Sequence, residues 1–267
     1  MNMRRIGAIM LRQVYLLRGS PTRILPLFAW IAIDVMLWGF ITRYLNAIAS
    51  PGFDFVPAML GAVLLWDFLS RVMQGVTMAF FEDVWSRNLL AIFASPLSRA
   101  EYVTGLVLTG ICTSLLGLAV MIALASLAFG LSFLTYGLAI IPGLIVLFLF
   151  GVALGVAGSA MVLRLGPAAE WLIWPLPAVL SPFASVFYPV ASLPGWMQPL
   201  AHALPPSYVF ESLRAVTQGG QADYMALALA LGLALLYLAA AAAFFAHVHG
   251  VCVKNGLIAR YSAESVT

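Results

Sequence analysis

The sequence predicts an all-α membrane protein with six transmembrane helices, an N-terminal interfacial helix, a short cytoplasmic helix and an outer re-entrant segment. Of its 267 residues, 63% are hydrophobic and only 9% are charged, whereas a soluble domain has about 25% charged residues. So few charges cannot cover a surface that faces water, and the apolar surplus therefore faces lipid. Long apolar runs in lipid form helices, because a helix pairs its backbone groups within the segment.

The N-terminal residues 4–18 predict an amphipathic helix that lies in the membrane surface. One arc of the helical wheel is apolar and the opposite arc is basic. The apolar arc holds Ile6, Ile9, Met10, Val14 and Leu17, and the basic arc holds Arg4, Arg5, Arg12 and Arg18. A basic amphipathic helix of this kind binds at the lipid interface without crossing it. The alternative is a cytosolic tail with chance periodicity.

Six segments have the roughly 20 mainly apolar residues that a spanning helix needs. They are residues 23–45, 56–81, 102–130, 137–163, 171–190 and 223–249. In the fourth, Gly151 and Gly155 form a small-xxx-small pair that predicts close approach of another helix.

Arginine and lysine placement predicts the orientation. With the N-terminus inside, ten basic residues lie in inner segments and two, Arg43 and Arg214, in outer ones. Because cytoplasmic loops carry the excess of basic residues, we expect a multi-pass protein of the bacterial inner membrane with both termini in the cytoplasm.

Residues 82–94 predict a short cytoplasmic helix after the second span. Its apolar side chains recur at helical spacing: Trp85, Leu89, Ile92 and Phe93. Glu82 and Asp83 at its start suit the positive end of a helix dipole. The helix is a candidate docking element for a soluble partner, or else a second interfacial helix with no partner.

Residues 191–214 predict a re-entrant segment on the outer side before the last span. Prolines interrupt this apolar stretch, so we expect short broken helices covered by protein or water. The segment is either a gate at the mouth of a pathway or a rigid cap. The candidate gate residues are Tyr188, Pro194, Pro205, Tyr208 and Glu211.

Three charged residues fall inside the predicted spans. Asp67 and Arg71 are four residues apart and share a helix face, and Asp34 lies at a similar depth in the first span. Because charge in the membrane is costly and usually faces the bundle interior, the three residues either line a substrate path or form a structural ion pair.

The sequence lacks the motifs of an ATP-binding or catalytic protein. It has no GxxxxGK[ST] phosphate loop, so it is not expected to bind ATP by that route. It also has no CxxC spacing, no metal-ligand cluster and no convincing nucleophile–base pair. We therefore expect no catalytic residues, metal site or cofactor in this chain.

Several local runs are similar to those of the ABC-2 type family of ABC exporter permeases, and the resemblance covers nearly the whole chain. They are Arg87-Asn88-Leu89-Leu90, Ser95-Pro96-Leu97-Ser98, Leu163-Arg164-Leu165-Gly166, Tyr188-Pro189-Val190, Leu193-Pro194 and the run from Leu204 to Glu211 with Arg214.

The resemblance implies a permease that exports amphipathic, lipid-linked or drug-like cargo. Because the basic residues are scattered and form no basic stripe with interleaved aromatics, we expect no nucleic-acid partner. The implied permease would pair with a copy of itself or a similar permease and bind two separate ATPase subunits, which would hold ATP and Mg. Residues 82–94 would then be the coupling helix that contacts the ATPase. Its candidate contact residues are Glu82, Asp83, Trp85, Arg87, Leu89 and Phe93.

In that family, aromatic side chains of the first and fifth spans line the substrate path in some members. The matching candidates here are Trp30, Trp38, Trp171, Trp174, Phe183 and Phe187. Ordinary packing at the lipid interface explains the same residues equally well.

Two other functions remain open at this point. An ion-coupled secondary transporter using Asp34, Asp67 and Arg71 would more often show internal repeats and more spans, and no clear repeat is present. A membrane-embedded enzyme acting on lipids would need clustered polar catalytic residues near one interface.

Overall fold

The computed structural model describes residues 2–19, 21–48, 55–86, 89–166 and 169–257 of the chain. These residues form helices and turns without any strand, which confirms the all-α prediction. The α-helices in chain order are α1 Met3–Arg18, α2 Pro21–Ile48, α3 Gly61–Trp85, α4 Leu89–Ala94, α5 Arg99–Phe129, α6 Ile140–Leu165, α7 Glu170–Ile173, α8 Leu176–Leu180, α9 Gln198–Ala203, α10 Pro205–Thr217 and α11 Tyr224–Lys254.

Five helices of the described residues are long and apolar enough to cross a membrane. A π-helical turn, Val56–Leu60, extends the second at its start, and a 3-10 turn, Phe133–Ala139, precedes the fourth. The five lie at Phe28–Ile48, Val56–Trp85, Ala100–Phe129, Phe133–Leu165 and Tyr224–Lys254. They overlap the spans predicted at residues 23–45, 56–81, 102–130, 137–163 and 223–249.

The predicted span over residues 171–190 is not one continuous helix. The segment is divided into α7 and α8, and turns follow after residue 180. Pro175 and Pro182 lie at the breaks, where the missing N–H and the ring interrupt a helix. Ser185 has φ of 55°, which is uncommon for a residue with a side chain. Hydropathy does not register that proline interrupts helices, which explains why the predicted span is divided.

The predicted helix over residues 82–94 is also divided. Glu82, Asp83 and Trp85 belong to the last turn of α3, and the backbone turns at Ser86 before α4 begins. Arg87 lies outside the described residues. The two acids are therefore at the C-terminal end of one helix and not at the start of another, so the helix-dipole argument for their placement is wrong.

Helix α3 lies at the centre of the bundle and packs against α5 and α6, while α11 packs on the far side of α6. Gly151 and Gly155 make the crossing of α3 and α6 possible. A Cβ atom on Gly151 would lie 2.9 Å from the Leu69 carbonyl oxygen, and one on Gly155 would lie 2.8 Å from the Met73 carbonyl oxygen. The small-xxx-small pair thus allows backbone contact, as the sequence predicted.

Helix α5 begins with a capping box. The Ser98 hydroxyl accepts a hydrogen bond from the Glu101 backbone N–H at 3.2 Å, and the Glu101 carboxylate accepts from the Ser98 backbone N–H at 3.0 Å. This reciprocal pair satisfies donors that a helix start otherwise leaves open. It fixes the start of α5 close to the loop that contains α4.

Candidate functional site

Three side chains from three helices meet at the end of the bundle where α3 ends and α5 begins. Arg12 of α1 forms an ion pair with Asp83 of α3, and the Tyr102 hydroxyl of α5 donates to Asp83 Oδ2 at 2.6 Å. Asp83 and Tyr102 are fully buried, whereas Arg12 keeps 29% of its side chain exposed. We call Arg12, Asp83 and Tyr102 the junction cluster.

Further contacts hold α1 beside the junction cluster. The Glu101 carboxylate accepts from the Asn2 backbone N–H at 2.6 Å and lies 3.5 Å from Arg5 Nη1. Gln13 Nε2 donates to the Ala79 carbonyl oxygen at 3.5 Å. Ile9 packs on Gly105, where a Cβ atom would come within 2.7 Å of the isoleucine. Helix α1 is therefore fixed to both α3 and α5.

The face of α1 that packs on the bundle overlaps only in part with the apolar arc of the helical wheel. Ile6 and Ile9 are buried against protein, as is Gln13, whereas Val14 from the apolar arc is exposed. Arg12, assigned to the basic arc, turns toward Asp83. Arg12 lies on the packed side because its guanidinium pairs with the buried Asp83 carboxylate, which a helical wheel of α1 alone does not contain.

Helix α4 begins at Leu89, shortly after α3 ends at Trp85 beside the junction cluster. Trp85 is about half exposed and stacks on Phe81 with ring centroids 5.3 Å apart. Glu82 is partly exposed, and Asp83 is turned inward. The side chains of Leu89 and Phe93, like all of Arg87, lie outside the described residues.

The charged residues predicted to lie within the spans are brought together. Arg71 Nε lies 2.7 Å from Asp67 Oδ2, and Arg71 Nη2 lies 3.9 Å from Asp34 Oδ2. Gly117 of α5 lies against the Arg71 side chain. One guanidinium thus links α2 and α3 beside α5, an arrangement compatible with either a structural pair or a polar lining.

Residues 191–214, predicted to be a re-entrant segment, contain short helices joined at prolines, and Pro205 is the first residue of α10. Glu211 Oε1 accepts from the Val190 backbone N–H and from Arg214 Nη1, both at 2.8 Å. Arg214 Nη2 also donates to the Ser185 carbonyl oxygen at 2.7 Å. Burial lowers the pKa of Arg214, and the Glu211 carboxylate offsets only part of this shift. The guanidinium nevertheless remains charged.

The other candidate gate residues are less central. Tyr188 donates to the Pro182 carbonyl oxygen at 2.9 Å, and Tyr208 donates to the His202 carbonyl oxygen at 2.8 Å. Pro194 is exposed in the turn before α9. The Glu211–Arg214 pair therefore holds α10 against residues 185–190, and the tyrosines brace the short turns beside it.

Two of the aromatic candidates are in direct contact. Trp38 of α2 stacks on Phe187 with ring centroids 5.6 Å apart and an interplanar angle of 16°. Trp30 and Trp171 are largely exposed, Trp174 is about half exposed and Phe183 is partly buried. The structure thus joins the first span to the segment after α8 through one aromatic pair.

Comparison with known proteins identifies the family. The family model described as ABC-2 type transporter matches residues 7–217 of the chain. The chain belongs to the ABC-2 type transporter family. No curated protein matches it.

Membership makes the chain a multi-pass ABC-2 permease, which is a membrane transport component that is not itself catalytic. It also implies association with an ABC ATPase. In this ABC-2 permease, the residues that sequence reasoning missed as a group are Arg12, Glu101 and Tyr102. The signal available for Arg12 and Tyr102 was Asp83, a carboxylate at the end of an apolar helix that needs a partner when buried. The signal available for Glu101 was its position three residues after Ser98, which is the spacing of a capping box.

Proposed function

We propose that this ABC-2 permease is the membrane-spanning subunit of an ATP-driven exporter. Its substrate is amphipathic, lipid-linked or drug-like and leaves the cytoplasm or the inner leaflet. Two copies of a separate ABC ATPase hold ATP and Mg, and the permease pairs with a second copy of itself or a similar chain. The family match supports the transport role, and the junction cluster supports the coupling role.

The junction cluster carries the coupling argument. An ATPase that contacts α4 and the exposed face of Trp85 pushes on the end of α3. Because Asp83 is joined to Arg12 and Tyr102, the displacement reaches α1 and α5 as well. Packed side chains and ion pairs with two discrete arrangements carry energetic coupling between distant sites.

The excess of basic residues at the junction end supports a cytoplasmic location for both termini in a bacterial inner membrane. We further propose that residues 171–190 cross the membrane as a broken helix, which gives six spans. The aromatic pair Trp38–Phe187 then lies between the first and fifth spans, beside the substrate path. The Glu211–Arg214 pair positions the outer gate.

The experiment is copurification of an ABC ATPase with the tagged full chain after coexpression. Wild-type chain retains the ATPase, and Trp85→Ala loses most of it because the exposed ring on the docking surface is gone. ATP hydrolysis by the retained ATPase in proteoliposomes gives a second readout.

Trp196→Ala is the matched control, since Trp196 is also exposed but lies at the other end of the bundle. This variant retains the ATPase to the same extent as wild type. Equal retention by Trp85→Ala, with normal hydrolysis, would contradict the assignment of the coupling surface.

A further inference from the structure

A cavity of about 420 Å³ opens at the end of the bundle opposite the junction cluster. The end of α2, the turn before α3 and the turn after α5 form its walls. This size lies within the range of ligand-binding pockets.

The polar lining of the cavity suits an anion. Arg43, Asn46, Ser132 and Thr135 supply a guanidinium, an amide and two hydroxyls, and the described residues of the wall include no carboxylate. Asn46 Oδ1 accepts from the Phe55 backbone N–H at 2.8 Å, which fixes the amide in place. A guanidinium is the side chain best shaped to bind a phosphate through two parallel hydrogen bonds.

An apolar strip on α2 lies beside the cavity, because Phe40 packs edge-on against Phe129 of the cavity wall with ring centroids 5.4 Å apart. Tyr44, Phe40 and Met36 succeed one another at intervals of four residues and are 65%, 59% and 48% exposed. They form part of one shallow apolar groove. Arg43 is adjacent to this strip, since it lies three residues after Phe40 and seven after Met36.

A charged cavity beside an apolar groove has the form of a site for an anionic amphiphile. Tyrosine and arginine near a helix end lie at the depth of lipid headgroups. A phosphate held at Arg43 leaves an acyl chain free to follow the strip from Tyr44 to Met36.

We propose that this cavity binds the phosphate group of an anionic phospholipid, with an acyl chain lying along the α2 strip. The proposal stands apart from the export function, because it concerns equilibrium binding to the full chain and needs no ATPase. Free phosphate shares the same headgroup chemistry and is distinguished by the test.

The test is equilibrium titration of the purified full chain in nonionic detergent by microscale thermophoresis. The probes are short-chain dioctanoyl-phosphatidylglycerol, dioctanoylglycerol, which lacks the phosphate, and inorganic phosphate. Wild type binds the phosphatidylglycerol at least tenfold more tightly than either of the others, because headgroup and acyl chain each contribute.

Arg43→Gln weakens phosphatidylglycerol binding about tenfold or more, as expected for a lost charge-assisted hydrogen bond. Arg43→Lys retains part of the affinity, because the charge stays while the paired hydrogen bonds do not. Lys254→Gln, which removes one exposed charge at the other end of the bundle, binds as wild type does. Unliganded melting curves of the variants check that each is folded.

Three results would overturn the proposal. One is wild-type affinity for dioctanoylglycerol equal to that for the phosphatidylglycerol, and another is undiminished lipid binding by folded Arg43→Gln. The third is tight binding of inorganic phosphate with no gain from the lipid, which would make the cavity a free-anion site.

Discussion

Replacing Arg12 with Met tests whether the junction cluster holds α1 to the transmembrane bundle. The change removes the guanidinium but keeps a long apolar stem, and it leaves the Asp83 carboxylate with Tyr102 as its hydrogen-bond donor. Breaking a buried pair by removing one partner costs about 3–5 kcal/mol. Because Arg12 is 29% exposed, part of the attraction is screened, and we take the lower limit of about 3 kcal/mol.

That free energy predicts a local effect which hydrogen exchange measures. If undocking of α1 becomes about 3 kcal/mol easier, its backbone amides exchange roughly 100-fold faster, while the centre of α6 changes little. The assay is hydrogen–deuterium exchange with mass spectrometry on peptides from α1 and α6 of the full chain. Arg4→Met is the matched control, because Arg4 is an exposed arginine on the same helix and its loss costs less than about 0.5 kcal/mol.

A double-mutant cycle with Asp83→Asn separates the ion pair from other effects of the substitutions. The amide keeps the shape of the carboxylate and still meets Tyr102, so the double variant is less destabilised than the sum of the singles, by about 2 kcal/mol. Unchanged α1 exchange in Arg12→Met, or strictly additive single effects, would refute the claim that this pair fixes α1 to the bundle.

Three further predictions concern the rest of the bundle. Arg71→Ala leaves two neighbouring carboxylates without their guanidinium contact and lowers the free energy of unfolding in mixed micelles by a few kcal/mol; an unchanged unfolding curve would contradict this. Gly155→Ala forces α3 and α6 apart, since its Cβ meets backbone at 2.8 Å, and destabilises by about 1–3 kcal/mol, whereas Gly232→Ala, with nothing within 4 Å, is neutral or stabilising. Arg214→Gln removes the ion pair and a hydrogen bond to residue 185, so exchange of residues 185–190 accelerates at least tenfold, and equal exchange in both proteins would count against a holding role.

The spans could be predicted because the signal is local and large. Segments such as 223–249 are apolar over their whole length, and no partner element is needed to see that they fit a bilayer. The contact of Asp67 with Arg71 could also be predicted from the sequence, because residues four apart on a helix are neighbours. Gly151 and Gly155 showed which face of α6 allows another helix to approach closely. The sequence did not show that this helix is α3.

The junction cluster could not be predicted because its members are distant in sequence. Arg12 and Asp83 are brought together by the packing of α1 on α3 and α5, and a helical wheel of α1 alone assigns Arg12 to the exposed face. The hydropathy of residues 171–190 likewise gave no sign of the break, since Pro175 and Pro182 count as apolar residues but disfavour a continuous helix.

The re-entrant segment falls between these cases. Its prolines predicted short broken helices, and these are present. The pairing of Glu211 with Arg214 is local and follows from their spacing, but the bond from Arg214 to residue 185 depends on a turn that the sequence does not reveal.

Transport by proteoliposomes that contain the chain with or without its ABC ATPase tests the central claim most directly. A panel of fluorescent amphiphiles serves as substrate, under ATP in one arm and under a proton or sodium gradient alone in the other. We expect movement only when the ATPase and ATP are both present, with a clear loss on Trp85→Ala. Full transport by the chain alone under an ion gradient, lost on Asp67→Asn, would contradict this. It would show that the ion gradient powers transport through the charged residues of the spans.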